Sequence, residues 1–278
     1  MQLIYRTLGT CTIASALVLM LGACGKEAWP PSNGGTAPAT TQTAVVMAPA
    51  RIEKNFDKKV AALPNDFIAH QPAKVFSHIT SQNLQKDKFE SEAKYIARMQ
   101  ALAGTVLYDE VLLSGEFAFE PLKDVVSIRY DPEKQQFKWE IRPSQLGNDG
   151  DYDGIELERR DSIQNYPTLD AAYAERGKKI SHTDNFYLQG VGLKGLGYIN
   201  GAYKAKPELA RALDGQLAVL FVGRIPAPYA GFKDKYPIAA DDTVFEHQRY
   251  IRFAIDGVWL VNKQTGEVLT KTWAVKRY

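Results

Sequence analysis

Hydrophobic residues recur at helical spacing from position 52 to position 63, and Pro64 would end this first helix. The apolar positions on its face are Ile52, Phe56, Val60 and Leu63. A second helix is predicted over residues 91–103, with Ser91 as its N-cap and Gly104 just beyond its end. Two helices are therefore expected at the start of the folded part of the chain.

Beyond Gly104 the hydrophobic pattern changes to a period of two, which predicts strands. Residues 116–120, 125–130 and 137–142 alternate in this way, with Phe, Val, Ile and Trp on one side. Asp131-Pro132 provides a turn between the last two segments. These two segments are therefore predicted to form an antiparallel hairpin.

The C-terminal part repeats the pattern. Strands are predicted at 250–255, 257–261 and 267–273. Asp256-Gly257 and the segment 262–266 carry turn residues, so each is expected to reverse the chain.

Two short helices are predicted between the strands, over 168–177 and 206–215, and residues 226–247 are predicted to form a long surface loop. The fold expected for residues 51–278 is a single α+β domain. It consists of N-terminal helices followed by a mostly antiparallel sheet with two short inserted helices.

The first 23 residues have the pattern of an export signal, with Arg6 as their only charge and an apolar run too short to span a bilayer. The sequence LGAC at Leu21–Cys24 resembles the lipobox of bacterial lipoproteins. That resemblance implies that Cys24 is lipidated and anchors the protein in a lipid bilayer. Gly25 is not the aspartate of inner-membrane lipoproteins, which implies the outer membrane, with the domain in the periplasm. An ordinary signal cleaved near Ala23 is the alternative.

Residues 24–50 are rich in Pro, Gly, Thr and Ala and show no apolar period, so a flexible tether is predicted. The chain has two cysteines; Cys11 lies in the signal and Cys24 is the expected lipid site. No thiol then remains in the domain, which excludes a disulfide, a cysteine nucleophile and a cysteine-ligated zinc site.

Composition excludes one further class of partner. The chain has 34 basic and 32 acidic residues, and removing Arg6 leaves 33 against 32. A nucleic-acid-binding protein is expected to show a strong basic excess, so no nucleic-acid partner is predicted.

One short motif resembles a pattern found in uncharacterised exported bacterial proteins, F-E-(S/T)-x-x-x-Y-x-x-R. Its positions here are Phe89, Glu90, Ser91, Tyr95 and Arg98. The resemblance covers less than a tenth of the chain and implies no activity. A capped helix with an aromatic residue and an arginine one turn apart accounts for it equally well.

The acidic segment at 148–154 has the spacing with which calcium loops begin, because Asp149, Asp151 and Asp153 precede a glycine. An EF-hand is not expected, since Arg160 stands where that motif has its bidentate glutamate. Two interpretations stay open: a calcium loop of another kind, and a solvated polar turn without a cofactor. Glu156, Glu158, Asp161 or a residue distant in sequence would complete a calcium site.

Other motifs point to no defined chemistry. The glycine-rich segment 190–195 is not followed by a helical pattern, as a dinucleotide site requires. Neither G-x-S-x-G nor H-E-x-x-H occurs. A hydrolase would need groups from separate segments, such as His182 or His247 with the Asp241-Asp242 pair.

The sequence therefore predicts a lipid-anchored envelope protein with a non-catalytic binding or scaffolding domain. Its expected partner is another envelope protein or envelope component. An envelope hydrolase and a calcium-dependent binding module are the alternatives.

Overall fold

A computed structural model describes residues 52–64, 67–146, 152–164, 180–190, 198–235 and 244–272. The described residues contain three α-helices: α1 (Pro72–Thr80), α2 (Glu92–Leu102) and α3 (Pro207–Leu213). Both α1 and α3 begin with proline, which suits the first turn because its backbone N–H is not needed there. Ser91 caps α2 by accepting a hydrogen bond from the Lys94 N–H, so this helix has the predicted N-terminus.

Strands are the main secondary structure of the described residues and form three sheets. A two-stranded sheet joins β1 and β2, a three-stranded sheet has the order β4-β5-β9, and the large sheet has the order β3-β10-β12-β8-β7-β6 with β11 and β13 added beside β12. The strands are β1 (Val106–Tyr108), β2 (Val111–Leu112), β3 (Phe117–Phe119), β4 (Val126–Asp131), β5 (Gln136–Ile141), β6 (Ser144–Gln145), β7 (Tyr152–Gln164), β8 (Ile180–Gly190), β9 (Ile199–Lys204), β10 (Leu217–Arg224), β11 (Ala230–Lys235), β12 (Val244–Asn262) and β13 (Val268–Thr272).

The long strand β12 organises the large sheet. Its first half pairs with β8 in parallel and with β11 antiparallel, and its second half pairs antiparallel with β10 and β13. The turn predicted at Asp256-Gly257 is not formed. Val222 pairs with Gly257 and Gly223 pairs with Ile255, so Asp256 is the extra residue of a β-bulge within one continuous strand.

The helix predicted over residues 52–63 is also absent. This segment instead runs as an irregular strap, here defined as residues 52–64 and 67–69, over the apolar back of β3, β10 and β12. Phe56 packs edge-on against Trp259, and the Phe56 N–H donates to the Glu116 carbonyl at 2.8 Å. The Leu63 N–H donates to the Gly266 carbonyl at 2.7 Å. Two N–H groups of the strap thus bond outside it, to Glu116 and Gly266, and those of Val60 and Phe67 bond within it, to the carbonyls of Asp57 and Pro64.

The front of the large sheet carries the main core, built by helix α1 and strands from all three sheets. Val75 and Ile79 of α1 are fully buried, and Phe76 packs edge-on against Phe186 of β8. Trp139 and Ile141 bring the inner face of the three-stranded sheet into the same core. Alternation along β5 therefore divides this strand as predicted, with apolar residues inward and polar residues outward.

Two further predictions have mixed outcomes. The β4–β5 hairpin is present, with Val126 paired to Ile141. The long loop predicted at 226–247 is wrong in part, because β11 lies within it and pairs with β12. The helix predicted over 168–177 lies outside the described residues, as do the export signal and the tether.

Candidate functional site

Both faces of the large sheet become polar at the end where β7, β8 and the first half of β12 meet. Pairing in register places alternate residues of the three strands on one face. We call the group on the back face the polar cluster; its members are Glu156, Asn185, Tyr187, Glu246 and Gln248. The group on the front face is the histidine line; its members are His182, His247 and Asp234.

The polar cluster is buried despite its chemistry. Four of its side chains are almost inaccessible to solvent, with exposed fractions of 5% for Glu156, 3% for Asn185, 4% for Tyr187 and 1% for Gln248. Burying polar groups is unfavourable unless hydrogen bonds replace their water, so each partner matters.

Glu156 is held by an arginine. Arg159 donates from Nε and Nη2 to Glu156 Oε1, at 2.9 and 2.7 Å, and its Nη1 reaches Asp124 Oδ2 at 3.3 Å. Burial nevertheless raises the pKa of Glu156, because the loss of water outweighs the pairing with Arg159. Burial at this position therefore favours the protonated carboxyl of Glu156 over its carboxylate.

Asn185 is satisfied on one side only. Its amide Nδ2 donates to Glu246 Oε1 at 3.3 Å, whereas its Oδ1 is buried and has no hydrogen-bond partner among the described residues. A buried acceptor without a donor is uncommon in folded proteins and marks a place where a donor is missing.

The remaining polar contacts come from the segment that follows β5. Gln248 Nε2 donates to the Gln145 carbonyl at 3.3 Å, and Lys233 Nζ donates to the Leu146 carbonyl at 3.2 Å. Residues 145 and 146 therefore lie against the back face of β11 and β12. Only Gly147 separates them from the acidic segment 148–154 in sequence.

The phenol of Tyr187 completes the cluster. Burial raises the pKa of Tyr187 above its ordinary range, and the nearby charges of Glu156 and Glu246 raise it further. Tyr187 is consequently a neutral hydrogen-bond donor at physiological pH.

The histidine line joins three strands on the opposite face. His247 Nδ1 lies 3.0 Å from Asp234 Oδ1, and His247 Nε2 lies 2.9 Å from His182 Nδ1. Phe245 packs against His182 with nearly parallel rings, 5.2 Å between centroids. The parallel pairing of β8 with β12 brings the two histidines together although 65 residues separate them.

The sequence named both histidines, together with an acid pair whose position is not described. Asp241-Asp242 lies outside the described residues, and the acid beside His247 is Asp234 of β11, within the predicted loop. The sequence signal for β11 is the alternation of apolar and polar residues in GFKDKY. This segment is too short to distinguish a strand from a loop.

The predicted calcium ligands are not assembled within the described part of the chain. Asp149 and Asp151 lie outside it, and Asp153 falls in β7. The three carboxylates expected to complete the site already have partners: Glu156 pairs with Arg159, Glu158 with Arg160, and Asp161 with the Thr183 hydroxyl. Among the described residues no group of three or more His, Cys, Asp or Glu side chains is arranged to hold a metal ion.

A separate concave surface lies on the outer face of the three-stranded sheet. It encloses a cavity of about 520 Å³ whose rim includes Arg129, Lys138, Glu140 and Asn200. These side chains are exposed, so they remain hydrated whether or not a ligand is present.

Comparison with known proteins gives no relative: no family model matches the chain, and no curated protein or solved structure matches it. Of the helices in the described ranges, none combines the length and the apolar character needed to cross a membrane.

Proposed function

We propose that this chain is a lipid-anchored protein of the bacterial outer membrane, held through Cys24, whose domain binds an envelope component or another envelope protein at the polar cluster. Lipidation is supported by the LGAC resemblance at Leu21–Cys24, and the tether at 24–50 would let the domain reach away from the bilayer.

The buried polar cluster carries the proposal for binding. Two features of the cluster lower the stability of the fold relative to an apolar core. Glu156 is a buried carboxyl that has lost its water, and Asn185 Oδ1 is a buried acceptor that receives no hydrogen bond from the described residues. Perturbed carboxyls and incompletely paired polar groups concentrate at functional sites.

The binding test compares what remains bound to the protein after purification from membranes. Native mass spectrometry of the full-length protein in detergent should show an additional bound mass that the double variant Glu156→Gln, Glu246→Gln loses. The matched control, Glu133→Gln with Glu267→Gln, removes the same charge from two exposed carboxylates and should retain it. A bound mass that both variants keep, or none on the wild type, would contradict binding at the cluster.

Anchoring has its own test. Palmitate labelling of the cells should mark the wild-type protein, and Cys24→Ser should abolish both the label and the recovery of the protein with the outer membrane. A Cys24→Ser variant that is still labelled would refute the lipid site.

The histidine line favours a second candidate, an envelope hydrolase. Asp234 can orient His247, which in turn accepts a hydrogen bond from His182, as in acid–base relays. A panel of chromogenic ester, amide and glycoside substrates tests this candidate. Hydrolysis that falls at least 100-fold in His247→Asn would support the hydrolase. Equal hydrolysis by the variant and the wild type would show that the histidine line is not the catalytic site.

A further inference from the structure

We infer that the strap side of the domain rests on a lipid bilayer, with Ile52 and Ile68 inserted at the surface of the bilayer. The inference rests on the anchoring part of the proposed function. Ile52 and Ile68 have exposed fractions of 65% and 66%, and among the exposed large hydrophobic residues of the described chain only Phe89 exceeds them. Both isoleucines line one cavity of about 400 Å³, so they lie on the same side of the strap.

Apolar side chains continue between the two isoleucines and make the surface concave. Phe56, Val60, Leu63 and Phe67 line the same cavity of about 400 Å³. A second cavity, of about 240 Å³, shares Leu63 and Phe67 with the first and is lined mainly by apolar residues of the strap, β10 and β12. Exposed apolar surface that is larger than single scattered residues marks a contact with a protein or a membrane.

The backbone of the strap favours a membrane over an added peptide strand. A peptide that extends a sheet needs free backbone donors and acceptors along an edge. The N–H groups of Phe56, Val60, Leu63 and Phe67 already donate to carbonyls within the domain. A bilayer requires no such pairing, because an interfacial element binds by burying apolar side chains at the boundary between headgroups and acyl chains.

Charged residues beside the isoleucines suit the headgroup region. Lys54 and Lys59 are exposed, and neither forms an ion pair with another described residue. Of the two acids in the strap, Glu53 pairs with Lys74 at 2.8 Å, and Asp57 accepts from the Lys59 backbone N–H at 2.9 Å. The two lysine ammoniums can therefore reach lipid phosphates while their aliphatic stems lie along apolar surface.

The tether would hold this surface close to lipid. Only Arg51 separates the end of the tether from Ile52, and the tether has 27 residues from Cys24 to Ala50. A flexible segment of that length spans roughly 25–30 Å on average. Linkage raises the effective concentration of one partner at the other, so a weak affinity of the strap for lipid is sufficient for contact.

Brominated phospholipids test the contact, because bromine on the acyl chains quenches tryptophan fluorescence. Full-length lipidated protein is reconstituted into vesicles of phosphatidylethanolamine with a minor share of phosphatidylglycerol. Ile52→Trp and Ile68→Trp each add a reporter, and Ile96→Trp is the matched control at a residue of α2 that is 46% exposed. After subtraction of the wild-type signal, quenching at 52 and at 68 should exceed quenching at 96 at least threefold. Adding Ile52→Asp to Ile68→Trp should remove this difference.

The outcomes separate the docking surface from the anchor. Equal quenching at all three positions would overturn the inference, because the domain would have no preferred side toward the bilayer. Absence of quenching at 52 and 68, in protein that floats with the vesicles, would overturn the inference and leave the anchor intact. A reporter whose emission shifts to the blue without quenching would indicate a protein partner and overturn the lipid contact. Protein that does not float would refute the anchor and with it the inference, and palmitate labelling tests the anchor independently.

Discussion

His182 and His247 face each other through ring nitrogens 2.9 Å apart, and their imidazole planes differ by only 4°. Two such nitrogens share one proton, so one ring donates and the other accepts. When ionised Asp234 accepts from His247 Nδ1–H, His247 Nε2 is left as the acceptor and His182 Nδ1 as the donor. This hydrogen bond joins β8 to β12 close to the first residues of both strands.

The bond predicts energetic coupling between the two histidines. A double-mutant cycle with His182→Ala and His247→Ala should give an interaction free energy of about 0.5–1.5 kcal/mol, measured by urea unfolding. The same cycle between His182 and His70 should be additive within about 0.5 kcal/mol, because His70 bonds to Ala118 of β3 and shares no hydrogen bond with His182 in the described structure. Additivity in the first cycle would mean that the ring-to-ring bond contributes nothing to the folded state.

Glu156 predicts an unusual dependence of stability on pH. Its pKa is raised in the fold, chiefly by burial, so folding favours the protonated carboxyl. This contribution is complete below the unfolded-state pKa, near 4.5, and is lost as the pH rises through the higher folded-state value.

Glu156→Gln removes that titration and keeps the shape of the side chain. The free energy of unfolding of the variant, relative to the wild type, should therefore rise between pH 4 and pH 7 and reach at least equality at pH 7. Glu267→Gln, at an exposed position, should show no such trend. Destabilisation of Glu156→Gln by more than about 1 kcal/mol at pH 7 would show that the pairing with Arg159 outweighs burial.

We predict that the packing of Phe56 holds the strap against the sheet. Phe56 is buried between Phe67 and Trp259, with ring centroids at 5.7 and 5.2 Å, and no helix or strand supports it locally. Phe56→Ala should lower the free energy of unfolding by about 3–5 kcal/mol. Limited proteolysis should then cut within 52–69 before the rest of the domain. Ile52→Ala, at a residue 65% exposed, should change stability by less than about 0.5 kcal/mol, and equal effects of the two changes would refute the packing described.

Local signals in the sequence were sufficient where one segment determines its own structure. Ser91 caps α2 through its own side chain, and Asp131-Pro132 lies in the turn that joins β4 to β5. The helix predicted at 52–63 was wrong because the same spacing of apolar residues serves two structures. It forms one face of a helix, and it also lets an irregular segment place apolar side chains on a sheet at intervals. Asp256-Gly257 misled for a related reason, since turn residues are equally suited to a bulge.

The candidate site depended on long-range pairing that periodicity does not encode. Parallel β8 and β12 place His182 beside His247, and Asn185 beside Gln248, in one register. A slip of β12 by one residue would turn its two faces over and place His247 with the polar cluster. Nothing in either segment alone specifies which strand it pairs with, so the residues could be named from the sequence but not assembled.

The last prediction concerns the acidic segment from which calcium binding was inferred. We expect millimolar calcium to change the melting temperature of the full-length protein by less than about 1 °C relative to EGTA, because Glu156, Glu158 and Asp161 are already paired. A site occupied at 100 times its Kd would instead add about 2.7 kcal/mol, which raises the melting temperature by several degrees in a domain of this size. Magnesium serves as the control for ionic strength. A rise seen with calcium alone, and abolished in Asp151→Ala with Asp153→Ala, would establish the metal loop and place it in sequence directly before Glu156 of the polar cluster.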